Sequence, residues 1–138
     1  MTEPITAHPS TTELAARYNQ AWVDHDVEAI LGLQGDEMIF HLHMPGNAPV
    51  SGVEALRAQF GLFFEMWPDL AFDTTRLDIG HELYVHEYEM RASRSRDEAA
   101  EVAVAAVDVI RCREGQVIRK DTYLDTLALS HQLGATGA

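Results

Sequence analysis

The sequence predicts an α+β fold in which helices cover one face of a bent, mostly antiparallel sheet. Two amphipathic helical segments open the chain, a strand and a third helix follow, and the second half holds four strand-like runs with short connections. Short connections favour antiparallel neighbours, and helices kept apart from a run of strands are typical of α+β proteins. We therefore expect a cone-shaped curved sheet, closed by the N-terminal helices, around a small apolar pocket.

The 138 residues match the usual size of one domain with a single core. We expect a flexible tail over residues 1–9, one domain over 10–134 and a short flexible tail over 135–138. The formal charge of −12 opposes binding to nucleic acid or to an anionic membrane, and no stretch is long enough to span a bilayer. The lone Cys112 excludes an internal disulfide, and no signal-peptide pattern is present, so we expect a cytoplasmic location.

The first helix is predicted to begin after Ser10, because Ser10 and Glu13 form a capping box. It should end near Val23, and one apolar stripe runs along it through Leu14, Tyr18, Ala21 and Trp22. Asp26 can cap a short second helix whose apolar side chains are Val27, Ile30 and Leu31.

The first strand is predicted from Asp36 to His43 by strict alternation of side chains. Met38, Phe40 and Leu42 share one face, and Ile39, His41 and His43 share the other. A third amphipathic helix follows from Val53 to Met66 and ends near Pro68. This helix, with Trp67 after it, carries the richest aromatic surface of the chain, formed by Phe60, Phe63, Phe64 and Trp67.

Four further strands are predicted in the second half of the chain. They run from Ala71 to Ile79, Leu83 to Ala92, Val102 to Cys112 and Gln116 to Leu127. The Glu114–Gly115 turn joins the last two. Residues 92–101 leave two readings open, either an exposed hairpin tip or a helical turn at Ala99 and Ala100.

Asp108 is the most informative single residue. If residues 102–112 form a strand, Asp108 shares its face with apolar side chains. Desolvation favours the neutral form of a carboxyl group, so Asp108 could stay protonated near neutral pH and donate a hydrogen bond to a substrate oxygen, or carry a proton. A structural role stays open, in which Asp108 pairs with an Arg or with buried water.

His41 and His43 form an H-x-H pair on one strand face. Imidazole is both the commonest metal ligand and the natural neutral-pH base. A metal site would need further ligands, such as His86 or Glu87, and we predict none; the pair fits a pocket base or ordinary surface or core histidines.

On the strand from Leu83, Glu87 and Glu89 alternate with His86 and Tyr88, and either face could line the pocket. The acidic face is expected to be solvated or paired with arginines such as Arg91. The chain has no G-x-G-x-x-G after a strand, no P-loop and no G-x-S-x-G, so nucleotide cofactors and serine hydrolysis are unsupported, and no cofactor is expected.

A series of short segments in a fixed order carries a family resemblance. They are Tyr18-Asn-Gln-Ala-Trp-Val-Asp-His-Asp26, Met44-Pro45 with Pro49-Val-Ser-Gly52, Trp67-Pro-Asp-Leu70, Val107-Asp-Val-Ile-Arg111, and Tyr123-Leu-Asp125 leading to Gln132-Leu-Gly134. From about Thr12 to Gly134 the chain resembles the nuclear transport factor 2-like superfamily, and within it the SnoaL-like polyketide cyclases, ketosteroid isomerases and limonene epoxide hydrolases. The resemblance implies a cystatin-like α+β barrel.

The ketosteroid isomerase pattern implies roles for three residues. Tyr18 resembles the helix tyrosine that hydrogen-bonds the substrate oxyanion, and Asp108 resembles the neutral acid beside it. The isomerase's base is a carboxylate on the first long strand, where this chain has Leu42 or, with a one-residue shift, His43. The epoxide hydrolase pattern fails, because its Arg and Asp positions hold Glu87 and Glu89.

Polyketide cyclases of this kind use an acid near the last strand, where Thr122 stands here. Asp121 is adjacent but is expected to face the other side of the sheet.

The resemblance and the residues together predict a cofactor-independent isomerase or cyclase acting on a small hydrophobic ketone. Tyr18, His43 and Asp108 are its expected catalytic residues. Substrate-binding side chains are expected to be Trp22, Phe40, Phe60, Phe64, Trp67 and Tyr88. A non-catalytic ligand-binding or dimerisation module is the alternative. A homodimer is expected because the outer side of a curved sheet needs cover.

Overall fold

The computed structural model describes residues 8–94 and 97–134, without the side chains of residues 94 and 97–100. The helices are α1 (Thr11–Val23), α2 (Val27–Gly32), α3 (Val53–Met66) and α4 (Thr126–Gly134). The strands are β1 (Gln34–His43), β2 (Val50–Ser51), β3 (Ala71–Ile79), β4 (Leu83–Arg94), β5 (Asp97–Arg113) and β6 (Gln116–Leu124). Most of the predicted N-terminal tail and all of the C-terminal tail lie outside the described residues. Among those described, no helix is long and apolar enough to cross a membrane.

The strands form one curved, open sheet in the order β2-β1-β6-β5-β4-β3. β1 runs parallel to β6, and every other pair of neighbours is antiparallel. The predicted α+β fold with a mostly antiparallel sheet is therefore confirmed. The β5–β6 hairpin also forms as predicted, since Glu114 (φ 52°) and Gly115 (φ 75°) both have the positive φ that tight hairpin turns require.

The first two helices begin at the predicted caps. The Ser10 hydroxyl accepts from the Glu13 amide at 3.1 Å, and the Glu13 carboxylate accepts from the Ser10 amide at 3.1 Å. Asp26 accepts from the Ala29 amide at 3.1 Å. Each contact satisfies an amide that the first turn of a helix leaves free.

Side-chain alternation divides the sheet into two faces. We call inner the face that packs against α1 and α3, and outer the opposite face. Inner residues Phe40 of β1, Tyr84 of β4 and Ile110 of β5 join α1 and α3 side chains in the main apolar core. A second, smaller core holds Val102 and Leu129.

The sequence prediction was wrong at the end of the last strand, which stops at Leu124 and not at Leu127. Asp125 interrupts the strand by capping α4, because its carboxylate accepts from the Ala128 amide at 3.0 Å. Helix formation buries Leu129 against β5, and the Gln132 amide both accepts from and donates to the backbone of Ala103, at 2.7 and 3.0 Å.

Residues 92–101 also differ from both readings considered, since β4 and β5 extend through most of them. Residues 95–96 of the predicted hairpin tip lie outside the described part. The two-residue strand β2 was not predicted.

Candidate functional site

Asp108 lies near the middle of the inner face and is only 3% exposed. The strand register places His86 of β4 and Thr122 of β6 directly beside it. Its Oδ1 accepts hydrogen bonds from the Tyr88 hydroxyl at 3.0 Å and the Thr122 hydroxyl at 2.7 Å. In both contacts the Asp108 carboxyl group is the hydrogen-bond acceptor.

Lys120 supplies the counter-charge to Asp108. Its Nζ lies 3.4 Å from Asp108 Oδ2, with both side chains nearly fully buried. The same ammonium lies 3.8 Å from the centre of the Trp22 ring, close enough for a cation–π contact. Burial lowers the pKa of Lys120, while Asp108 acts to raise it. Asp108 therefore has a structural partner after all, a lysine where the sequence suggested an arginine or water.

His86 adds an imidazole to the same group. Its Nε2 lies 2.8 Å from the Thr74 hydroxyl, and its ring packs against Tyr88 at 4.7 Å between centroids. Burial lowers the pKa of His86; Asp108 partly offsets this, and Lys120 adds to it. The imidazole is thus held neutral at neutral pH. We call Asp108, Lys120, His86, Tyr88 and Thr122 the inner cluster.

A cavity of about 40 Å³ opens beside the inner cluster. Polar and aromatic side chains share its wall, which consists of Asn19, Trp22, Val23, Phe72, Thr74, His86, Asp108 and Lys120. Trp22 carries a buried indole N–H that has no hydrogen-bond partner among the described residues. The cavity has room for only a few water molecules, and its volume is far below the several hundred Å³ of typical ligand sites.

Two larger depressions lie elsewhere, and within the described part of the chain neither is lined by a cluster of buried ionisable groups. One, of about 350 Å³, lies between residues 8–12 and the turns at residues 80–82 and 112–115. Its thiol is Cys112, whose pKa burial raises to about 11, which leaves it a poor nucleophile. The other, of about 700 Å³, is a shallow groove between α1 and α2. The smaller cavity is the better candidate because the buried ionisable groups converge there.

Comparison with known proteins places this architecture in a family. A family model described as a SnoaL-like domain matches residues 15–120. The chain belongs to the SnoaL-like family. No protein of curated function matches it in sequence.

Several solved structures share the fold of this SnoaL-like chain. A candidate SnoaL-like polyketide cyclase from Shewanella denitrificans OS-217 has 14% identity and a TM-score of 0.79, covering 91% of this chain and 97% of its own. A protein with a ketosteroid isomerase-like fold from Catenulispora acidiphila DSM 44928, in complex with trimethylamine, has 16% identity and a TM-score of 0.78, covering 91% and 95%. IdmH, a candidate polyketide cyclase from Streptomyces antibioticus, has 16% identity and a TM-score of 0.73, covering 90% and 98%. At such identities the likeness shows the fold.

Tyr18 reaches the same interior as Asp108, but its hydroxyl has another partner. The side chain is fully buried in the main core. Its hydroxyl donates to Gln34 Oε1 at 2.6 Å, and burial holds the pKa of the phenol far above its usual value. Tyr18 is also absent from the cavity wall. The Tyr18 hydroxyl, expected to donate to a substrate oxyanion, therefore does not line the cavity beside Asp108.

The aromatic residues predicted to bind substrate fall into three groups. Trp22 lines the cavity and Tyr88 contacts Asp108. Phe60 and Phe64 pack against Trp22, at 4.9 and 5.5 Å between ring centroids. Phe40 and Trp67 do not line the cavity: Phe40 packs in the main core, and Trp67 packs against the second core.

His43 lies on the outer face, opposite the inner cluster. β1 pairs with β6 so that Leu42 lies beside Thr122 and His43 beside Tyr123. His43 Nε2 contacts Asp121 Oδ1 at 2.8 Å, and its ring stacks on Tyr123 at 4.0 Å. Alternation along the strand is the reason for this placement. The expected partnership of His43 with Tyr18 and Asp108 therefore does not form, whereas Asp121 faces outward as predicted.

The acidic residues of β4 also face outward. Glu89 pairs with Arg91 at 2.6 Å, as the sequence suggested, while His86 and Tyr88 face inward.

Sequence reasoning missed Lys120, and it gave His86 no catalytic role, only that of a possible metal ligand on a strand face that could line the pocket. The sequence did indicate that a cation would be buried here, because Arg119 and Lys120 are adjacent in a strand and alternation turns one of the two side chains inward. Which of the two faces inward depends on the pairing of β6 with β1 and β5.

Proposed function

We propose that this SnoaL-like chain enolises a small hydrophobic ketone without a cofactor, as an isomerase or a cyclase. The buried Asp108–Lys120 pair at the cavity wall is the observation that carries the proposal. A fixed ammonium in a water-poor site stabilises a developing enolate oxygen more strongly than it would in water. The candidate polyketide cyclases among the structurally similar proteins support the same reaction class.

In the proposed reaction His86, in place of His43, moves the proton. When His86 Nε2–H donates to the Thr74 hydroxyl, Nδ1 is left as the acceptor. The imidazole takes a proton from the carbon next to the ketone, and the enolate oxygen lies against Lys120. Return of that proton to another carbon completes an isomerisation. Alternatively, the enolate carbon attacks a second carbonyl of the same molecule, and protonation of the alkoxide by His86 completes a cyclisation.

Asp108 keeps Lys120 charged and fixed in this scheme, and the hydroxyls of Tyr88 and Thr122 hold Asp108 in place. Entry of a ketone requires the cavity to widen at Asn19, Val23 and Phe72. Val23 is 52% exposed, so this side of the cavity is next to solvent.

Titration with a series of naphthols of rising acidity tests the charge-stabilising part of the proposal, because a naphtholate resembles an enolate in charge and shape. Trp22 fluorescence reports binding, since its ring contacts Lys120. Affinity should rise with naphthol acidity. The double variant Lys120→Met/Asp108→Asn should lose this dependence with its circular dichroism unchanged. Glu87→Gln, on the outer face of β4, should keep it. Equal affinity for every naphthol would contradict a charged site.

Deuterium exchange into simple cyclic ketones in D2O, followed by proton NMR, tests the catalytic part. Every enolisation exchanges the proton beside the carbonyl, whichever product forms. Exchange should be faster than in buffer, and His86→Gln should slow it by 10²-fold or more, in line with general-base catalysis. Glu87→Gln again serves as the control.

Acidity-dependent naphthol binding without exchange would favour the second candidate, a non-catalytic small-molecule binding module. The small cavity of about 40 Å³ supports that alternative, as does the trimethylamine bound to the Catenulispora acidiphila protein.

We also propose that two copies associate through the outer face of the sheet. Val85, Val107 and Val109 form a half-buried apolar strip there, on neighbouring strands. Sedimentation equilibrium should give twice the chain mass, and Val107→Lys should shift the protein to monomer. A monomeric parent chain at high concentration would rule this out.

A further inference from the structure

Two histidines and an aspartate meet on the outer face of the sheet. His41 and His43 come from β1, and Asp121 from β6 lies opposite His41 in the parallel register. One ligand atom from each residue lies within 4.8 Å of the others, and the three side chains are half-buried or buried. The imidazole rings of His41 and His43 are 3.7 Å apart.

We propose that His41, His43 and Asp121 bind a transition-metal ion such as Zn²⁺. Two imidazoles and one carboxylate are a ligand set that zinc accepts, with water completing the coordination. Mg²⁺ is disfavoured because it prefers oxygen ligands alone. From the sequence, only His86 and Glu87 were considered as further ligands for the H-x-H pair, because Asp121 approaches the pair only through the β1–β6 pairing.

Neighbouring groups orient each of the three ligands, as second contacts do in metal sites. The Nε2 atom of His41 lies 3.3 Å from the Asn47 carbonyl oxygen, which can take the N–H of one ring nitrogen and leave the other for a metal. The Tyr123 ring stacks on His43 with planes 7° apart. Arg119 holds Asp121 through contacts of 2.8 Å to Oδ2 and 3.1 Å to Oδ1.

Binding requires a small local rearrangement. His43 Nε2 and Asp121 Oδ1 are 2.8 Å apart and share a hydrogen bond. Ligand atoms around a tetrahedral zinc are roughly 3.3 Å apart, given bonds of about 2.0 to 2.1 Å. An ion entering at these two atoms therefore displaces that hydrogen bond and the longer Arg119 contact, while the Arg119 bond to Oδ2 can remain.

The site would join β1 to β6, the parallel pair of the sheet. It lies on the face opposite the Asp108–Lys120 pair, so an ion here would act as a cross-link between strands. The two proposals are independent, since loss of metal binding leaves the naphthol result unchanged.

Calorimetric titration of the untagged, metal-free full chain with Zn²⁺, Co²⁺ and Mg²⁺ tests the site. We expect one Zn²⁺ per chain, a Co²⁺ complex with the intense visible absorption of a low-coordinate site, and no Mg²⁺ binding at the same concentrations. His41→Gln, His43→Gln and Asp121→Asn should each weaken Zn²⁺ binding at least about 10-fold. His81→Gln, an exposed histidine in the β3–β4 turn, should bind as the parent chain does.

Thermal unfolding gives a second readout for variants of altered stability. Zn²⁺ should raise the midpoint of the parent chain and of His81→Gln, and should leave that of His41→Gln unchanged. Absence of saturable Zn²⁺ binding would overturn the proposal. So would undiminished binding by Asp121→Asn, since the two histidines alone would then account for it.

Discussion

Strand β6 carries two polar clusters of similar composition on opposite faces. Inward, Lys120 and Thr122 contact Asp108, with His86 and Tyr88 beside it. Outward, Arg119 pairs with Asp121 at 2.8 Å, and His41, His43 and Tyr123 complete what we call the outer cluster. Each cluster combines a cation, a carboxylate, imidazole and a tyrosine ring, but the ion-paired side chains are 6% and 5% exposed inside and 35% and 11% exposed outside.

This difference in exposure changes the electrostatics of equivalent groups. Inside, burial dominates and lowers the pKa of both Lys120 and His86. Outside, burial acts to raise the pKa of Asp121, but hydrogen bonds from Arg119 and His43 outweigh it and the pKa falls. Burial in the inner cluster therefore disfavours the charged forms of Lys120 and His86, as it does in many catalytic sites. The contacts in the outer cluster instead stabilise the charged form of Asp121.

Removal of the cation should separate the two clusters most clearly. Lys120→Met leaves Asp108 buried without its counter-charge, which should cost about 3 to 5 kcal/mol in the free energy of unfolding. Arg119→Met removes a partly solvated pair and should cost about 1 kcal/mol or less. Urea unfolding measures both. In the double variant Lys120→Met/Asp108→Asn most of the inner loss should return, and equal losses for the two single variants would refute the contrast.

Removal of one hydroxyl from each cluster should give a smaller difference of the same sign. Tyr88→Phe takes a buried donor from Asp108 and should cost about 1.5 to 3 kcal/mol, as expected for a hydrogen bond to a charged group. Tyr123→Phe keeps the stacked ring on His43 and should cost less than about 0.5 kcal/mol. Urea midpoints of the two variants against the parent chain measure this pair. A larger loss of stability in Tyr123→Phe than in Tyr88→Phe would contradict the assignment of Tyr88 to the buried inner face and Tyr123 to the outer face.

The two clusters should lose their contributions to stability over different pH ranges. These effects should be smaller than those of the substitutions above. His86 has a lowered pKa, so the stability it confers is present above its unfolded value of about 6.5 and is lost as the pH falls toward the folded value. Asp121 also has a lowered pKa, so its contribution is present above about pH 3.9 and is lost only in stronger acid.

Unfolding midpoints measured from acidic to neutral pH should lose the first dependence in His86→Gln and the second in Asp121→Asn. If the His86→Gln and parent curves stay parallel through pH 6.5 and below, the assignment of the neutral imidazole is wrong.

Local signals explain most of the fold that the sequence predicted. Ser10 and Asp26 mark the helix starts, and Glu114–Gly115 marks the hairpin, because capping and turn chemistry depend on a few adjacent residues. The last helix was missed because the alternating strand pattern continues past Leu124 and hides the cap at Asp125. Burial of Leu129 against β5, a contact distant in sequence, favours the helix there.

A residue of the candidate site could be predicted only where the pattern of a single strand was enough to identify it. Asp108 stood out as an acid on an apolar strand face. Lys120 did not, because two adjacent cations resemble an ordinary solvated turn or edge until the neighbouring strands fix which one faces inward. For His43, strand alternation already placed its side chain on the face opposite Phe40 and Leu42. The one-residue shift against the ketosteroid isomerase pattern nevertheless led us to expect it in the pocket.

The β5–β6 hairpin has a consequence for the order of folding. Asp108 and Lys120 both belong to this hairpin, on either side of the turn at Glu114–Gly115, so they can meet through a short loop closure while still hydrated. Trp22, which covers Lys120, arrives from α1, far away in the chain. We expect the two charges to lose their water when α1 docks, and this desolvation to slow the docking step. Lys120→Met should therefore change the folding rate more than Arg119→Met does in stopped-flow refolding. Equal rates would place the desolvation after the main barrier.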